Sequence, residues 1–69
     1  MRDSKTALMN REEVRQAQKK LNDLGYQTGQ VDGVLGPRTQ TALRNFQQAK
    51  NIAVTGRLDE NTANALGLK

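Results

Sequence analysis

The stretch that decides the fold reads Val31-Asp32-Gly33-Val34-Leu35-Gly36-Pro37-Arg38-Thr39-Gln40-Thr41-Ala42-Leu43. It recurs without gaps 23 residues later as Val54-Thr55-Gly56-Arg57-Leu58-Asp59-Glu60-Asn61-Thr62-Ala63-Asn64-Ala65-Leu66, with six of thirteen positions identical. Each copy runs apolar residue, glycine turn, leucine, helix cap, helix, with Thr at the third helical position. The period is near those of repeat proteins, but two copies are too few for a solenoid. The simpler expectation is a pseudo-symmetric bundle of two loop–helix units closed by one further helix. The leucine before each cap, Leu35 and Leu58, should point inward and plug a helix start. Gln18 and Gln47, each just after an apolar residue (Ala17, Phe46), form a looser echo of the repeat.

Working outward, the closing helix has its own start and stop signals. Asn10 is a good N-cap, Glu13 stands three residues later where it can bond back to the cap, and Met9 and Val14 hold the staple positions. Val14, Ala17, Leu21 and Leu24 then trace one helical face, and Gly25 ends it, which predicts a helix over about 11–24. Residues 1–9 show no sustained period and are expected to be a flexible leader. The segment from Tyr26 to Gly36 is a glycine-punctuated loop, in which Asp32-Gly33 could turn a hairpin carrying at most a bridge of one or two residue pairs. Pro37 opens a second helix over 37–50, with Ala42, Leu43 and Phe46 in the core and Asn51 at its end. Asp59 caps a third over 60–66, through Thr62, Ala65 and Leu66 to Gly67. The expected fold is therefore all-α, a small three-helix bundle forming one domain over 10–68.

Composition removes most chemistry. The 69 residues contain no Cys and no His, which excludes disulfides, Cys- or His-ligated metals, thiol nucleophiles and Ser–His arrangements. No cofactor is expected, nor is enzymatic activity: there is no carboxylate pair, metal set or activated nucleophile. Eleven Lys and Arg against seven Asp and Glu give a net charge of +4, which favours anionic partners or simply solubility. No apolar run is long enough to span a membrane.

The run Gln18-x-x-Leu21…Leu24-Gly25…Gly29-x-Val31-Asp32-Gly33-x-x-Gly36-x-x-Thr39-x-x-Ala42-Leu43-x-x-Phe46-Gln47, followed by Val54-Thr55-Gly56-x-Leu58-Asp59-x-x-Thr62-x-x-Ala65-Leu66, resembles the type 1 peptidoglycan-binding domain. The resemblance covers about residues 11–68. It implies a three-helix module appended to cell-wall hydrolases and related envelope proteins, noncatalytic binding of peptidoglycan, and a periplasmic, envelope or secreted location. The chain would then be a monomeric part of a larger protein, with no nucleic acid and no membrane insertion. Two positions depart from the family: Asn51 where glycine is frequent, and Leu35 where an aromatic is frequent.

The candidate ligand-binding residues are Tyr26, Asp32, Gly36, Arg38, Thr39 and Arg57. Each has a structural reading beside it. Asp32 can accept N–H bonds within its own turn, the glycines can be conformational, and the repeated threonines can bond back toward their caps. Tyr26 is the one aromatic not assigned to the core, so sugar stacking cannot dominate. Free stem-peptide carboxylates suit arginine better. Arg38 follows the glycine loop at a helix start, and that region is the preferred site. Arg11, Arg15 and Lys19 form a basic stripe that reads as a solvated face. The alternative function is a basic three-helix nucleic-acid-binding domain, but the loop between the first two helices is far longer than a helix-turn-helix turn.

Overall fold

The computed structural model of the chain describes residues 11–68. Asn10, Met9 and the leader over 1–9 lie outside the described residues. Three helices follow in order: α1 (Arg11–Asp23), α2 (Pro37–Lys50) and α3 (Glu60–Leu66), each packed against both others. Among the described residues there is no strand and no bridge. The hairpin expected at Asp32-Gly33 is a turn held by side chains, described below.

All three helices stop in the same way. The N–H groups of Tyr26, Ile52 and Leu68 reach back to the carbonyls of Leu21, Gln47 and Ala63 at 2.8, 3.1 and 2.9 Å. The residue before each, Gly25, Asn51 or Gly67, is left-handed, with φ of 96°, 60° and 82°. This is the Schellman arrangement, in which the next residue is apolar and folds back on the last turn. Asn51 fills that place as expected, because its short polar side chain tolerates positive φ.

The core is Val14, Ala17, Leu21, Ala42, Leu43, Phe46, Leu58, Ala63 and Leu66, with Tyr26, Leu35 and Leu68 packed against it half-buried. Phe46 is fully buried and packs against Tyr26 with ring centroids 5.8 Å apart at 87°, the edge-to-face geometry aromatic quadrupoles prefer. Three expectations need correcting. Leu24 is 55% exposed: α1 has already ended, and Tyr26, returned by the Schellman turn, closes that end of the core in its place. Ala65 is exposed and Ala63 buried. At about 100° per residue the two lie about 200° apart, so a seven-residue helix covered from one side can bury only one. Leu58 is buried as expected, whereas Leu35 is only half-buried, so the second unit is the more tightly plugged.

Candidate functional site

Two glutamines, both fully inside, hold the two loops. Gln18 on α1 receives the Gly33 N–H on its Oε1 (3.0 Å). Its Nε2 donates to Thr39 Oγ1 (2.9 Å), the Val34 carbonyl (3.0 Å) and Asp32 Oδ1 (3.3 Å). Gln47 on α2 repeats the pattern one unit later. Its Oε1 takes the N–H groups of Thr55 (2.9 Å) and Gly56 (3.0 Å). Its Nε2 donates to Thr62 Oγ1 (2.8 Å), the Arg57 carbonyl (3.0 Å) and Thr55 Oγ1 (3.2 Å). A primary amide suits this task because it carries two donors and an acceptor with two lone pairs on one rigid plane. The echo of Gln18 and Gln47 is thus the central polar device of the fold: each helix grips the loop that leads to the next.

The clamped glycines must be glycine. Gly33 has φ of 78°, and a Cβ there would stand 3.1 Å from both the Arg11 carbonyl and Arg15 Cγ. Gly56 has φ of 73°, with Arg44 Nε 3.1 Å from the same point. Arg15 and Arg44 each precede their clamp by three residues and lie over the loop. The α1 basic stripe is therefore partly packing: Arg11 also donates to the Asp32 carbonyl at 3.4 Å.

Asp32 and Thr55 occupy equivalent places, and both accept the N–H two residues on, Val34 to Asp32 Oδ1 at 2.9 Å and Arg57 to Thr55 Oγ1 at 3.1 Å. The Val34 N–H, followed by the Gln18 amide, holds the Asp32 carboxyl below the usual aspartate range. Asp59 is pushed up by burial, but bonds from the Thr62 hydroxyl, the Thr62 N–H and the Thr55 hydroxyl outweigh this and leave it lowered.

The units differ in loop length and in cap. Fifteen residues separate Gln18 from Gly33 but nine separate Gln47 from Gly56. The longer loop is pinned by Asn22, whose Oδ1 receives the Thr28 N–H (2.8 Å) and hydroxyl (3.2 Å). It forms one wall, Thr28, Gly29 and Gln30, of a cavity of about 570 Å³ whose other side is Asp32, Gly36, Arg38 and Thr39. Arg38 lies across Gly29, where a Cβ would be 3.3 Å from its Cδ, and also borders a second depression with Gln27 and Thr41. Asp59 caps α3 through its side chain, while Gly36 caps α2 with none.

The structure therefore brings Asp32, Gly36, Arg38 and Thr39 to one cavity. Tyr26 is apart from it, with part of its ring spent on Phe46, and the exposed Arg57 belongs to the second loop. Thr28, which borders the cavity and is buried, escaped the sequence reading. Its signal, a bond to Asn22 six residues earlier, has no local spacing rule. Among the described residues no group of three or more His, Cys, Asp or Glu could hold a metal ion, and no helix is long and apolar enough to cross a membrane.

The described residues thus form three helices closed by two clamped loops, with an arginine-flanked cavity at the start of α2. Residues 10–66 match the family described as "Putative peptidoglycan binding domain", and the chain belongs to that family. It is similar to the spore cortex-lytic enzyme of Bacillus cereus, 47% identical over 45 residues that make up 65% of this chain and 17% of that protein. The spore cortex-lytic enzyme of Oceanobacillus iheyensis is 38% identical over 55 residues, 80% of this chain and 20% of its own. The "Putative OxPP cycle protein OpcA" of a Synechocystis strain is 46% identical over 33 residues, 48% of this chain and 7% of its own. The chain spans a fifth or less of these relatives. No solved structure gives a significant match.

Proposed function

We propose that this chain is a noncatalytic module that binds bacterial peptidoglycan and anchors a larger envelope protein or cell-wall hydrolase to it. The observation that carries the reading is the family match over residues 10–66, nearly the whole chain. The similarity to two spore cortex-lytic enzymes, of which the chain spans only 17% and 20%, supports the role of an attached domain. On this reading the natural location is the periplasm, cell envelope or exterior, and the domain acts as a monomer without cofactor.

The binding site is the cavity at the start of α2, with Asp32, Gly36, Arg38 and Thr39 as ligand contacts. Two features support it. The first-turn N–H groups of α2 have no side-chain cap, so they and the helix dipole favour an anion. Arg38 stands at that point, on a helix with no acidic residue from end to end. Tyr26 lies outside that cavity with its ring packed against Phe46, and Arg57 lies on the other loop, so polar contact with the stem peptide outweighs sugar stacking.

Co-sedimentation with purified insoluble sacculi tests the function, beside a DNA-binding assay over a salt series. The protein should pellet with sacculi and bind DNA weakly. Tight DNA binding with a steep salt slope, without sacculus binding, would replace this reading by the nucleic-acid alternative.

A further inference from the structure

Asp32 is the only Asp or Asn in the chain that stands directly before a glycine. In a flexible peptide that pair is reactive. The Gly33 backbone nitrogen attacks the Asp32 side-chain carboxyl carbon, and a five-membered imide closes. One carboxyl oxygen departs as water, taking the proton of the N–H and that of the carboxyl. Water then adds at the Asp32 main-chain carbonyl carbon and breaks its bond to the nitrogen. The chain now runs through the side chain as isoaspartate, one backbone carbon longer and unchanged in mass. Glycine favours the reaction because it sets no Cβ beside the attacking nitrogen and reaches the angles that ring closure needs.

The folded loop opposes each step. The Gly33 N–H is buried and held by Gln18 Oε1 at 3.0 Å, so the nitrogen keeps its proton and is not free to turn toward the side chain. Asp32 Oδ1 accepts the Val34 N–H at 2.9 Å and Gln18 Nε2 at 3.3 Å. These bonds tie the carboxylate into its own turn and hold it ionised, and an ionised carboxylate releases no water. The imide is the worst fit of all. Its nitrogen carries no hydrogen, and among the described residues the Gly33 N–H is the one donor to Gln18 Oε1. Closing the ring inside the clamp would strand that buried acceptor. Isoaspartate regains the N–H, but behind one more carbon, where it no longer meets Gln18.

We propose that Asp32-Gly33 is a site of spontaneous backbone isomerisation that the Gln18 clamp holds shut, and that conversion while the first loop is open leaves the loop unable to close again. The second unit marks the contrast. Thr55 stands in the place of Asp32 and makes the same turn, accepting the Arg57 N–H at 3.1 Å, with no carboxyl carbon to attack. The clamp therefore works without a carboxylate, and Asp32 brings to the first loop a chemistry that the second lacks. Asp32 also borders the cavity at the start of α2, so conversion would reshape that wall. The proposal holds whatever the cavity binds.

Wild-type protein is incubated at mildly acidic pH, folded in buffer and unfolded in urea. Isoaspartate at position 32 is followed by enzymatic methylation and by fragmentation of the tryptic peptide 21–38. Hydrogen exchange of the Gly33 amide is measured in the folded sample. Exchange and isomerisation both need the released N–H, so the folded chain should isomerise more slowly than the unfolded one by at least the protection factor of that amide, about tenfold or more. Equal rates in the two states, isomerisation that outruns the protection of Gly33, or no isoaspartate in the unfolded chain would overturn the proposal. Protein converted in urea and returned to buffer should show Gly33 unprotected, while Asp32→Thr, which copies Thr55, should keep it protected. A converted chain that recovers wild-type protection at Gly33 would remove the irreversible step. Loss of protection in Asp32→Thr would mean that the missing carboxylate, and not the longer backbone, keeps the loop open.

Discussion

Replacing Gln47 by Leu tests the clamp that organises this fold. Gln47 is fully buried, and Leu has a similar volume, so little cavity is added and the effect is mainly polar. Five hydrogen bonds are lost. The buried Gly56 N–H would be left unpaired, at a cost of about 1–3 kcal/mol. The Thr62 hydroxyl keeps Asp59, and the Thr55 and Arg57 groups sit on exposed residues. Those four bonds together add about 1–2 kcal/mol, less than the usual worth of intact pairs. The total, about 2–5 kcal/mol, is comparable with the ~3–5 kcal/mol that a core of this size supplies. Urea unfolding followed by helical circular dichroism should show the midpoint falling by about 2 M or more, or no folded baseline at all. Gln48→Leu, one residue on and exposed, should change stability by less than about 0.5 kcal/mol. If Gln47→Leu behaves like Gln48→Leu, the amide is a bystander and the loops are held by something else.

The remaining predictions follow from neighbouring geometry. Gly33→Ala should cost more than Gly25→Ala, because both need positive φ (about 1–2 kcal/mol) but only Gly33 also meets a backbone carbonyl at 3.1 Å; equal losses by chemical denaturation would count against that close approach. Asp59→Ala should cost about 1–2 kcal/mol by removing the α3 cap, read as a lower melting temperature. Stability should be level from pH 5 to 8, since the chain has no His. The native pKa values of Asp32 and Asp59 are depressed, so their contribution is complete above the unfolded value of about 3.9 and disappears as pH falls through the native values. Urea midpoints measured across that range should fall below about pH 4, and less steeply in Asp59→Asn.

Much of this was legible because the chain states it twice. The repeated leucine–cap–threonine unit located α2 and α3, and Gly25, Asn51 and Gly67 marked their ends and that of α1, because capping is local chemistry. Periodicity misplaced Leu24 and Ala65, since it cannot tell where the chain leaves the helix or which side of a short helix is covered. Gln18 and Gln47 were visible only as an echo. Their partners lie up to 21 residues away, and a buried glutamine has no signature until the loop it grips is in place. In the candidate site, Asp32, Gly36, Arg38 and Thr39 are neighbours in sequence and came together readily. Thr28 joins them only through the extra length of the first loop. Tyr26 was weighed as a sugar platform or a residue folded over α1; its contact with Phe46 on α2 required knowing that the Schellman turn sends it back to the core.

The central claim is that this domain holds peptidoglycan through a defined site at the start of α2. It is tested most directly by co-sedimentation of wild type, Arg38→Ala and Lys19→Ala with sacculi at physiological salt. Both variants lose one positive charge, and both residues are exposed. Arg38→Ala should reduce affinity about tenfold, the worth of a charge-assisted pair, while Lys19→Ala stays within about twofold. Equal losses would mean that the wall attracts the domain by its overall charge, without a site.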